Sequence, residues 1–90
     1  MANILKAASA GTMESSDAYV EIEPGDNGLQ IHVESVVERQ FGAAIEAAVQ
    51  DVLREQQVEQ AIVRVADRGA LDCVLRARVE TAILRAKEAE

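Results

Sequence analysis

Ala18-Tyr19-Val20-Glu21-Ile22-Glu23, Pro24-Gly25-Asp26-Asn27-Gly28 and Leu29-Gln30-Ile31-His32-Val33-Glu34 follow one another without a gap, and the rest of the chain can be laid out around them. In the first run Ala18, Val20 and Ile22 alternate with Tyr19, Glu21 and Glu23, the two-residue period of a strand with one buried face. In the last run Leu29, Ile31 and Val33 alternate with Gln30, His32 and Glu34 in the same way. The middle five residues are dense in types that tolerate turn dihedrals. Two alternating runs joined by such a turn predict an antiparallel hairpin.

Upstream, residues 1–8 carry little pattern and are expected to be a flexible tail, or else a weak edge strand. Residues 9–13 suit a short strand, closed by a polar turn from Glu14 to Asp17. Downstream, the period changes at Ser35. Ser35-Val36-Val37-Glu38 has the form of a capping box, in which a serine hydroxyl and a glutamate satisfy free amides of a first helical turn. A helix is expected from about residue 35 to 56, with Val37, Phe41, Ala44, Ile45, Ala48, Val49 and Val52 on one broad face. Ala61-Ile62-Val63-Arg64-Val65-Ala66 is short and β-branched, hence a strand. Asp67-Arg68-Gly69 ends it and offers Asp67 as the N-cap of a second helix over Ala70 to Lys87. That helix has Leu71, Val74, Leu75, Val79, Ala82 and Ile83 as its core stripe, and Asp72, Arg76 and Glu80 are spaced for i,i+4 pairing.

The predicted order is β-β-β-α-β-α, an α+β two-layer sandwich with an antiparallel or mixed sheet and two helices on one face. One-sided cover explains why the strands alternate instead of being apolar throughout. Residues 9–90 are expected to form a single domain. No internal repeat or linker interrupts them.

Ninety residues suffice for one small core. With 49% hydrophobic residues but only Tyr19 and Phe41 aromatic, that core is aliphatic. A net charge of −7 opposes binding to nucleic acid and favours partners with basic surfaces. No apolar run has the length of a membrane span, and the N-terminus lacks the apolar core of a signal peptide. One cysteine, Cys73, cannot form an internal disulfide, which suits a reducing cytoplasm.

No grouping of residues has the makings of a catalytic centre. Nucleophilic catalysis by Ser15 or Ser16 would need a base and a group to orient it, and the lone histidine, His32, falls on the outward face of a strand. The two hydroxyls read either as ordinary turn residues or as a point at which a modifying enzyme could form a phosphodiester. Cys73 has neither a second cysteine nor a histidine at ligand spacing and reads as a small apolar residue in a secondary contact. The carboxylates of Glu14 and Asp17 are too few to hold a metal. Arg78 and Arg85 flank the apolar stripe and would lay their methylenes over the core. The sharper alternative is that one of them, or Arg68, meets a phosphate.

Three segments then resemble one family. Ala10-Gly11-Thr12-Met13-Glu14-Ser15-Ser16-Asp17 is similar to the opening motif of citrate lyase acyl carrier proteins, the gamma subunits of that complex. The likeness continues through Val37-Glu38-Arg39-Gln40-Phe41-Gly42, with Ala44-Ile45 beyond. It is strongest from Asp67-Arg68-Gly69-Ala70-Leu71-Asp72-Cys73 through Val74-Leu75-Arg76-Ala77-Arg78-Val79-Glu80. It covers about residues 9 to 86. The acyl carriers of fatty-acid synthesis, four-helix bundles with an Asp-Ser-Leu motif, match neither in pattern nor in motif.

The resemblance implies a carrier without catalytic residues of its own. The serine directly after the glutamate, Ser15, would hold a phosphoribosyl-dephospho-CoA prosthetic group through a phosphodiester, with Ser16 as the fallback. The partners it implies are the citrate lyase alpha and beta subunits and a prosthetic-group transferase. An alpha subunit would exchange acetyl for citryl on the arm, and a beta subunit would release oxaloacetate. One departure is notable: the family's usual Glu-Ser-Gly-Asp has Ser16 in place of glycine here. Two other readings compete. One is the carrier of malonate decarboxylase, which uses the same group. The other is an acidic interaction module with no cofactor.

Overall fold

The computed structural model describes residues 4–35 and 38–87, apart from the side chains of 38–41. The described residues form β1 (Ala8–Gly11), β2 (Ala18–Glu23), β3 (Leu29–Ser35), α1 (Glu38–Glu55), β4 (Ala61–Asp67) and α2 (Asp72–Lys87). The element order is the predicted β-β-β-α-β-α, in a mixed sheet under one layer of helices.

Strand order differs from the hairpin expected between Ala18–Glu23 and Leu29–Glu34. The sheet runs β1-β2-β4-β3, so β4 lies between the two alternating runs. It pairs antiparallel with β2 (Val20 opposite Val65) and parallel with β3 (Ile31 opposite Val63). The reason is the helix that follows β3. A strand, a helix and a second strand close most readily as a parallel pair, which seats β4 directly beside β3. The Pro24–Gly28 segment must then cross one strand width instead of reversing in place. It does so over the start of β4, where the Ala61 amide donates to the Gly28 carbonyl at 3.1 Å. Gly25 lies so close that a Cβ there would meet the Ala61 carbonyl carbon at 3.2 Å.

Alternation sets the two faces of the sheet. Ala18, Val20, Ile22, Ala61, Val63 and Val65 are buried under the helices. Glu21, His32, Glu34 and Arg64 stand exposed on the opposite face. In α1 the inward residues are Ile45, Ala48, Val49, Val52 and Leu53, the i, i+3, i+4 spacing of one helical face. Ala44, expected in that stripe, is exposed at its margin, and the buried Leu53 was not foreseen. Val37 and the side chain of Phe41 lie outside the described residues.

In α2, Leu75, Val79, Ala82, Ile83 and Ala86 face the core. Leu71 does not, being 70% exposed. It precedes the first helical residue, and its carbonyl takes the first helical bond, from the Leu75 amide at 3.0 Å. Leu71 is thus the N-cap, and Asp67 is not. Asp67 closes β4 instead, and it is buried. Its carboxylate accepts from the Ala70 amide at 3.0 Å and from the Ser35 hydroxyl at 2.8 Å. The capping box expected from Ser35 runs through residues 36–37, outside the described residues. Ser35 itself is the last residue of β3.

Arg76 makes the expected bond to Asp72 at 2.7 Å but bridges to Asp51 of α1 at 3.3 Å, tying the helices together. The tail expected over residues 1–8 is not loose where it is described. Ile4 is buried because its apolar side chain packs into the core, the Leu5 amide donates to the Ala86 carbonyl of α2 at 2.9 Å, and β1 already begins at Ala8.

Candidate functional site

The segment between β1 and β2 is built from side chains. β1 stops at Gly11, earlier than the 9–13 span expected, because its backbone turns into the left-handed region (φ +97°). A Cβ there would lie 1.8 Å from the Ala18 carbonyl oxygen, so only glycine fits. Thr12 and Met13 therefore belong to the turn. The Thr12 hydroxyl donates to Asp17 Oδ2 at 2.7 Å and accepts from the Glu14 amide at 3.2 Å. The Asp17 amide donates to the Glu14 carbonyl at 3.2 Å, which closes a four-residue turn with Ser15 and Ser16 at its corners.

Ser16 has φ +67°. Positive φ at the third position alone is the signature of a type II turn, where glycine is the usual occupant. The serine holds that conformation because its backbone is clamped: the Ser16 amide donates to the Arg68 carbonyl at 2.8 Å, and the Arg68 amide to the Asp17 carbonyl at 2.9 Å. These two bonds carry the β2–β4 pairing past the end of the sheet and pin the turn to β4.

Asp17 is the hub. Arg78 grips its carboxylate with a two-pronged fork, Nε to Oδ1 and Nη2 to Oδ2, both at 2.9 Å. The Ala18 amide donates to Oδ1 at 2.7 Å. The Arg78 fork first, then the Thr12 hydroxyl and the Ala18 amide, holds the Asp17 carboxyl well below the usual carboxylate range. The same contact raises the Arg78 guanidinium above its ordinary value. A residue of α2 thus anchors a turn at the far end of the chain.

Ser15 and Ser16 are both exposed, and neither hydroxyl makes a hydrogen bond among the described residues. Around them the Thr12 hydroxyl, the Glu14 backbone and the Asp17 carboxylate are tied down. Ser15 differs from its neighbour in that its backbone is not clamped to β4.

The other sequence candidates lie apart from this turn or are used up. Cys73 is exposed, not in the apolar contact expected of it. His32 is exposed and stands opposite Arg64 on the open sheet face. Arg85 donates to the Ser9 carbonyl at 2.8 Å. Arg78 is committed to Asp17 through Nε and Nη2, although its side chain keeps 39% of its surface in water. Among the described residues no group of three or more His, Cys, Asp or Glu could hold a metal ion. Among them, too, no helix is long and apolar enough to cross a membrane. Sequence reasoning missed the Asp17–Arg78 pair. Its partners are 61 residues apart, and no local spacing signals them.

Comparison with known proteins places this geometry. A family model described as malonate decarboxylase delta subunit (MdcD), an ACP family, matches residues 5–86. "Citrate lyase acyl carrier protein 2" of Salmonella typhimurium is 52% identical over 86 residues, 94% of this chain and 89% of its own length. The citrate lyase acyl carrier protein of Klebsiella pneumoniae is 54% identical over 82 residues, 90% of this chain and 84% of its own. Among solved structures, a chain of a Pseudomonas malonate decarboxylase hetero-tetramer in complex with malonate superposes with a TM-score of 0.81. At 24% identity, covering 94% of this chain and 88% of that one, it speaks for the fold alone. By sequence over nearly its whole length, the chain belongs to the acyl carrier protein family that takes in the citrate lyase carriers and the malonate decarboxylase delta subunit.

Proposed function

We propose that this chain is the acyl carrier subunit of a citrate lyase complex, with Ser15 as the residue that takes a phosphoribosyl-dephospho-CoA group. One observation carries the reading: an exposed, unbonded hydroxyl at the corner of a turn whose remaining parts are fixed by Asp17, Arg78, Thr12 and the Arg68 backbone. When bound, the group supplies a terminal thiol that carries acetyl and citryl as thioesters between an alpha and a beta subunit, so that citrate yields acetate and oxaloacetate. The residues of this chain perform none of that chemistry. They present the Ser15 Oγ to a prosthetic-group transferase. There the Oγ–phosphorus bond forms as the donor's bond to its leaving group breaks, and the serine proton passes to the transferase.

A rigid turn suits this role. The tether raises the local concentration of the acyl group at two active sites, and a fixed root keeps its reach constant. The body serves as a single acyl carrier domain, with Ile4 and Ala8 ahead of residue 9 joined to it, and the carrier names of the relatives support a non-catalytic subunit. The acidic surface favours basic patches on the partners over nucleic acid. The cytoplasm is the compartment proposed.

Half identity to citrate lyase carriers supports this assignment over the malonate decarboxylase carrier, which the family model and the superposed structure keep as the second reading. Intact mass after co-expression with the transferase tests the proposal. A product heavier by the prosthetic group supports it, and an unmodified product favours a cofactor-free interaction module. Co-purification with a malonate-specific transferase subunit instead of the citrate lyase alpha subunit would move the chain to the second reading.

A further inference from the structure

A phosphodiester on Ser15 would stand beside Glu14 and Asp17, in a chain already carrying net charge −7. Without a cation to meet it, that placement is repulsive. Of the described arginines near the turn, Arg78 has given its fork to both oxygens of Asp17, and Arg85 is bonded to the Ser9 carbonyl. Arg68 is different. Its backbone is bonded to Ser16 and Asp17 at 2.8 and 2.9 Å, so it abuts the turn directly. Its side chain is only 25% exposed, yet its guanidinium makes just two weak contacts, Nη1 to the Asp67 carbonyl at 3.5 Å and Nη2 to Glu34 at 4.0 Å. Glu34 is itself 74% exposed, so that pair is easily given up. A guanidinium offers five donors in a rigid fork matched to phosphate oxygens, and here most of them are unspent.

We infer that Arg68 is the phosphate-binding residue of this carrier: on loading, its guanidinium leaves Glu34 and pairs with the phosphodiester on Ser15. The inference rests on the Ser15 reading. The exchange trades a marginal contact for a charge-assisted, two-pronged one, and it fixes the root of the tether against the body. It also gives the transferase a cation on the carrier side as the new phosphodiester forms.

The test uses the whole chain. Isotope-labelled carrier is loaded by the transferase, peptide mapping locates the added mass, and the arginine Nε–H signals of apo and loaded protein are compared by NMR. The Arg68 signal should move on loading while that of Arg85 stays in place. The phosphodiester resonance in phosphorus NMR should differ between wild type and Arg68→Gln. Transfer onto Arg68→Gln should slow by about two- to fivefold, the scale of a partly exposed ion pair, with Arg68→Lys in between. Ser15 loaded with the Arg68 signal unmoved, and the phosphorus resonance the same in both proteins, overturns the inference and leaves the attachment site standing. Mass absent, or on another residue, overturns both.

Discussion

The Thr12–Asp17 and Pro24–Gly28 segments sit at opposite ends of β2, and they solve different problems. The first joins neighbouring strands and is held by side chains: a carboxylate gripped by an arginine from α2, a threonine hydroxyl, and two backbone bonds to Arg68. The second joins strands separated by β4 and is held by close backbone contact with Ala61. In sequence the second is the stronger turn signal, with proline, glycine and asparagine together. Yet the strands it links do not pair. Turn chemistry specifies that the chain changes direction, while the strand it then meets is decided by what else competes for the place. The richer side-chain network lies where two unbonded hydroxyls are presented.

If that contrast is right, the first turn should be far less tolerant than the second. Gly11→Ala would push a Cβ into the Ala18 carbonyl at a left-handed position, and it should destabilise the domain by about 3 kcal/mol in urea unfolding. A loss under about 1 kcal/mol would show that β1 can peel away without consequence. Asp17→Asn removes the charge that Arg78 holds, and it should lower the unfolding temperature at about pH 7. The Asp17 carboxyl is held low in the folded protein, so its contribution is complete above the unfolded carboxylate value of about 3.9 and fades as pH falls below it. The difference between wild type and Asp17→Asn should therefore narrow under about pH 4. A gap that stays constant to about pH 3 would mean that Arg78 does not anchor the turn through this charge.

Gly25→Ala should cost less, about 1–2 kcal/mol, since its Cβ would press on the Ala61 backbone and the Ile62 side chain at 3.2–3.3 Å without a left-handed φ. A cost equal to that of Gly11→Ala would erase the distinction between the two turns. The smallest effect has the opposite sign. Ser16→Gly relieves a side chain from φ +67° and should stabilise by about 0.5–1 kcal/mol, leaving the Ser15 position unchanged. Destabilisation there would indicate that the Ser16 side chain supports the turn.

Much of the fold was legible because period is a local property. The alternation from Ala18 to Glu23 predicted β2 to the residue, and the 3.6-residue spacing found both helices. Besides the pairing of β2 with β3, which β4 displaces, errors gathered at element ends, where local rules stop applying. Leu71 fits the α2 stripe by spacing but lies before the helix begins, and Asp67 has the chemistry of a cap but is consumed by Ser35 and Ala70. The exposed pair of serines was readable as a turn. Its support was not: Asp17–Arg78 is a contact between the first hairpin and the last helix, and Arg68 enters through its backbone, which carries no side-chain signature.

The most direct measurement is parallel transfer of the prosthetic group onto wild type, Ser15→Ala and Ser16→Ala, read by mass spectrometry of the peptide spanning the first turn. Wild type and Ser16→Ala should gain the full mass and Ser15→Ala none. Modification of Ser15→Ala, or of none of the three, would contradict attachment at Ser15.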